Sequence, residues 1–120
     1  MSNNYILIGK SPKQVFNLIE WAEKFQNSKR TVQRDLIRGV EVSTVFLGID
    51  HNFSSMFNPE SDARPILFET MVFGGKHDGY QKRYCTWDEA EEGHQLALKM
   101  VNANAWQKFA NWIKRILSKI

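Results

Sequence analysis

Two runs of β-branched and aromatic residues constrain this chain more than anything else in it. VSTVFLGIDHNF (residues 42–53) and PILFETMVFGG (residues 65–75) each end in turn-prone residues, the pattern of strands buried in one sheet. The residues before them must approach that sheet, and those after them must cover it. Upstream, residues 31–37 alternate imperfectly and meet Arg38-Gly39. A tight connection there makes residues 31–49 a hairpin. Downstream, residues 76–79 form a turn, and residues 80–85 read as an edge strand because Gln81, Lys82 and Arg83 are costly to bury. A further short strand is expected at residues 5–8, closed by Gly9.

Helices flank these strands. Ser11-Pro12 reads as a helix entry, with Gln14 completing a capping box and Val15, Leu18, Ile19, Ala22 and Phe25 forming one apolar face. The clearest start is Thr86-Trp87-Asp88-Glu89, where the Thr86 hydroxyl and the Glu89 carboxylate can each accept the other's backbone amide. Trp87, Ala90, His94, Ala97, Leu98 and Val101 then share a face, a break is expected at residues 102–104, and a last amphipathic helix carries Trp106, Phe109, Ile113, Ile116, Leu117 and Ile120. Connections between strands are too short for crossovers. The expected class is therefore α+β, an antiparallel sheet of four to five strands with helices packed on one face.

With 120 residues and 42% apolar content, the chain is long enough for one core and too short for two. The expected organisation is a domain over residues 1–101 and an amphipathic helical extension of that domain over residues 102–120. The net charge of +3 is mild, but its distribution is not even. Asp88, Glu89, Glu91 and Glu92 cluster together, no acid follows Glu92, and Lys99, Lys108, Lys114, Arg115 and Lys119 come after. Acids at the front and bases at the end of a helical region complement its dipole. The same bases would also make a basic binding face. Cys85 is the single cysteine, so no internal disulfide forms. Neither a leader nor an apolar span of membrane length is evident, so no membrane insertion and a cytoplasmic location are expected.

LIEWAEKF (residues 18–25), VSTVFLGIDHNF, PILFETMVFGG and YQKRYCTWDEAEEGH (residues 80–94) together resemble a family of small bacteriophage- and prophage-encoded proteins of unassigned function. The resemblance spans roughly residues 5–101, and it implies a bacterial host cytoplasm. Its shared positions include Trp21, Phe25, Thr44, Gly48, Asp50, His51, Glu69, Thr70, Gly74, Gly75, Tyr84, Thr86, Gly93 and His94. This chain departs from the family in its Asn- and Met-containing 50s loop and in the tail after Val101.

A catalytic or metal site would have to come from Asp50, His51, Glu69, His77, Cys85 and His94. His51, Glu69 and His94 would make a two-imidazole, one-carboxylate zinc set, yet no H-E-x-x-H, C-x-x-C, Walker or G-x-G-x-x-G motif accompanies them. No cofactor is expected. The plainer expectations are structural. Asp50 accepts backbone amides in an Asx-type turn, Glu69 pairs with Arg30, Arg34 or Arg83, and His94 is a hydrogen-bonded core residue.

Binding accounts better for what remains. Phe53, Met56 and Phe57 stand in a polar loop, and Trp106 and Trp112 stand in a basic tail. Large apolar side chains of this kind suit the centre of an interface with a protein partner or in a homodimer, or else the tail covers its own sheet. The alternative is nucleic-acid binding through Lys29, Arg30, Arg34, Arg38, Lys114 and Arg115, which would be salt-sensitive and sequence-independent.

Overall fold

The computed structural model describes residues 3–53 and 64–119, with residues 104–108 described by backbone alone. The fold is α+β. A hairpin of β1 (Tyr5–Ile8) and β2 (Ser11–Gln14) leads into α1 (Leu18–Gln26). A four-stranded antiparallel meander comes next, made of β3 (Thr31–Ile37), β4 (Val40–Phe46), β5 (Phe68–Phe73) and β6 (Gln81–Tyr84) in that spatial order. The long helix α2 (Trp87–Leu117) lies across one face of this sheet.

The β3–β4 hairpin turns at the expected place. Its two loop residues, Arg38 and Gly39, have φ of 50° and 82°, the double positive φ of a type I′ turn that matches strand twist. That connection fixes the register Ile37↔Val40, Asp35↔Val42 and Gln33↔Thr44. On the face toward α2, the rungs between β4 and β5 are matched pairs: Phe46↔Phe68, Thr44↔Thr70 and Val42↔Val72. Two apolar clusters result. One gathers Phe46, Leu67, Phe68, Tyr84 and Ala90, and the other Val42, Val72, Ala97 and Val101. The threonine rung lies between them. Ala90, Gly93 and Ala97, all buried, keep the helix close to the sheet.

Three expectations are corrected. Residues 11–14 are a strand and not the first turn of a helix. Gly9, with φ of 63°, turns the chain back, and the α1 N-cap is Asn17, whose Oδ1 accepts from the amides of Ile19 and Glu20 at 3.0 Å each. Consequently Leu18 and Ile19 are exposed, and only Trp21 and Phe25 turn inward, stacked at 5.0 Å. The second correction concerns residues 102–104, which do not break the helix. Asparagine is a weak helix former but not a breaker, and α2 passes through them. Third, the tail does not fold back over the sheet. Strands of seven residues reach about 23 Å, which roughly 15 residues of helix suffice to span. Val101 is the last buried residue of α2 among those whose side chains are described, and the helix runs on beyond it.

Candidate functional site

The inward threonine rung and α2 together build a line of buried polar groups. His94 is fully buried. Its Nε2 lies 2.7 Å from Asp35 Oδ2 on β3, and its Nδ1 lies 2.6 Å from Thr44 Oγ1 on β4. Thr44 Oγ1 is in turn 2.5 Å from Thr70 Oγ1 on β5. A carboxylate only accepts, so Nε2 carries a proton. With the imidazole neutral, Nδ1 accepts from Thr44, and Thr44 accepts from Thr70. One helix residue is thereby bonded to two strands directly and to a third through Thr44. The bond from His94 is the main cause holding the Asp35 carboxyl below its ordinary pKa, aided by Gln33 and opposed by partial burial.

An acid, an imidazole and a hydroxyl in series are also the parts of an activated nucleophile. Here the hydroxyls are closed off, since Thr44 and Thr70 are completely buried. No substrate reaches them, and the line acts as a tie between helix and sheet. Beside it stands Tyr84, whose buried hydroxyl has no hydrogen-bond partner among the described residues. Burial pushes its pKa up. The hydroxyl fills the space over Gly93, where an added Cβ would collide with it.

The remaining candidates are placed elsewhere. Asp50 Oδ1 accepts from the amides of Asn52 and Ile66 at 2.8 and 2.9 Å, the Asx-type turn expected of it. His51 Nδ1 contacts the Ile49 carbonyl at 2.7 Å, with the Phe53 ring 6.2 Å away. Glu69 points to the other face of β5 from Thr70, as alternation requires. There it accepts from Arg83 Nε at 2.9 Å and from Gln81; of the three arginines expected for it, Arg83 is the partner. Asp50, His51, Glu69 and His94 therefore do not form one cleft, and among the described residues no group of three or more His, Cys, Asp or Glu could hold a metal ion. Met56 and Phe57 lie outside the described residues, as does the side chain of Trp106.

Of the bases proposed for nucleic acid, two are engaged by other side chains. Arg30 stacks over the Phe25 ring at 4.4 Å, and Arg34 is paired with Glu41. Lys29 and Arg30 precede β3 while Arg38 comes after it, and Lys114 and Arg115 belong to the far end of α2.

What the structure does leave open is the second half of α2. Phe109 is 45% exposed, Trp112 52%, Ile116 41% and Leu117 62%. Phe109 and Trp112 pack against each other at 6.0 Å. Beside them is a groove of about 550 Å³ between the helix and the tips of the β3–β4 and β5–β6 connections. Ile37, Val40, Val101, Phe109 and Trp112 supply its apolar lining, and Arg38, Lys76 and His77 its polar edge. The amphipathic tail was legible as a candidate; that Arg38, Val40 and Lys76 would share a groove with it was not, because the continuity of α2 decides that. Among the described residues no helix is long and apolar enough to cross a membrane.

No family model matches the chain, and no curated protein and no solved structure matches it significantly.

Proposed function

We propose that this chain is a small phage-type accessory protein that acts by binding a protein partner, without catalysis of its own. The observation that carries this reading is the exposed row Phe109, Trp112, Ile116 and Leu117 on a helix continuous with the core. Isolated apolar residues at a surface are ordinary, but a row rich in aromatic side chains marks an interaction site. A helix rooted in a folded domain presents that row with little ordering cost.

The test is a comparison of the intact protein with a double variant, Phe109→Glu and Trp112→Glu, as baits in a bacterial lysate. Both positions are exposed, so the variant is expected to melt within a few degrees of the parent. A discrete protein retained by the parent and lost with the variant supports the reading. Identical retention by two equally folded baits would refute it.

A further inference from the structure

We infer that the occupant of the groove between α2 and the strand tips is an acidic amphipathic helix of a protein partner. This deepens the reading above and rests on it. The groove is two-toned: its floor is apolar, with Val40, Val101, Phe109 and Trp112, and the charged side chains lining it are Arg38 and Lys76. Among the described residues no acid lines it, and α2 carries none after Glu92 while exposing Lys114 and Arg115 on its far half. The volume of about 550 Å³ accommodates several side chains but not a folded domain. Helix-in-groove recognition fills such a site with apolar anchors at i, i+3, i+4 and i+7. The surrounding bases then select carboxylates on the flanks of that helix and reject bases.

Charge also decides against the tail of a second copy as the occupant. A second tail carries Lys108, Lys114, Arg115 and Lys119 and no acid, so it would set bases against Arg38 and Lys76. Duplex nucleic acid offers negative charge but no apolar row to fill the floor.

Two synthetic 18-residue peptides test the inference. Both carry leucines at i, i+3, i+4 and i+7, and the remaining positions are mainly glutamate in one and mainly lysine in the other. Binding to the full chain is read by calorimetry and by tryptophan fluorescence. The glutamate peptide is expected to bind at least about tenfold more tightly than the lysine peptide, with the preference shrinking as salt rises. Trp112→Ala should weaken it, and Arg38→Glu with Lys76→Glu should reverse the preference. Equal binding of the two peptides overturns the acidic class while leaving a protein-binding groove. Binding of neither peptide overturns the inference, and the lysate comparison decides separately whether the groove binds protein at all. Tighter binding of a DNA duplex, or self-association in sedimentation that Trp112→Ala abolishes, assigns the groove to another occupant and overturns it too.

Discussion

His94 Nδ1 and Thr44 Oγ1 lie 2.6 Å apart in a site closed to solvent, and that bond joins the helix to the centre of the sheet. Replacing Thr44 with valine keeps the volume but deletes the bridging hydroxyl, leaving both His94 Nδ1 and the Thr70 hydroxyl without it. A buried polar group stripped of its partner costs about 1–3 kcal/mol. Thr44→Val should therefore lower stability by about that amount, while Thr44→Ser, which keeps the hydroxyl, should lose closer to the value of one methyl, about 1 kcal/mol. Urea denaturation of the two variants checks the order. No loss in Thr44→Val would mean that the hydroxyl line contributes nothing beyond packing.

Asp35, at the other end of the same imidazole, gives the stability a dependence on pH. Its folded pKa is lowered, first by the His94 hydrogen bond. A depressed carboxyl stabilises the fold fully above its unfolded pKa, near 3.9, and loses that contribution as pH falls through the folded value. Asp35→Asn should thus be less stable than the parent at pH 6, with the gap narrowing below about pH 4. Thermal melts from pH 6 to pH 3 measure it, and a constant gap would separate the Asp35 effect from its charge.

How much of this was legible in the sequence depends on the range of the interaction. Arg38-Gly39 and Thr86 act on neighbours within four residues, and both announced themselves. Glu69 stood out as a lone carboxylate in an apolar strand, and alternation put it on the face away from Thr70. The Asp35–His94 contact spans 59 positions and was missed, though a signal existed. A two-residue loop at Arg38-Gly39 sets Asp35 opposite Val42 and Gln33 opposite Thr44, and cross-strand partners share a face. Once Val42 is taken as inward, Asp35 must face the helix too. Ser11-Pro12 misled because proline also suits an edge strand, and Asn17, a good cap, lay six residues further on.

Tyr84 and Gly93 make a steric pair. Alanine normally improves a helix interior over glycine by about 1 kcal/mol, but at Gly93 the new Cβ would collide with the Tyr84 hydroxyl. Gly93→Ala should therefore destabilise, by about 1–3 kcal/mol. Tyr84→Phe removes a buried hydroxyl that has no hydrogen-bond partner among the described residues, so it should be neutral or stabilising, and it should rescue part of the Gly93→Ala loss. A double-mutant cycle by chemical denaturation reads the coupling directly.

Thr86 caps α2 through the Glu89 amide, 3.1 Å from its hydroxyl. Thr86→Ala should cost about 1 kcal/mol with the fold retained. An unmoved denaturation midpoint would mean that solvent replaces the cap without loss.

The tail offers the last test, and the position of Val101 sets its expected result. Val101 is buried in the second cluster, whereas Phe109, Trp112, Ile116 and Leu117 are substantially open. Ending the chain after Ala103 therefore removes one wall of the groove and, among the described residues, little of the core. The truncated protein should stay folded, with near-parent ellipticity per folded residue and a melting midpoint lowered by only a few degrees. If the stripe were instead needed to cover the domain's own sheet, truncation would cause unfolding or aggregation. Sedimentation of parent and truncate adds a second readout. A monomeric parent giving a folded monomeric truncate removes both own-core packing and dimerisation as the purpose of the stripe, leaving a different molecule as its partner. In isolation this helical segment would be marginal in water, so the protein holds it out as a continuation of α2, nucleated by the turns that pack on the sheet.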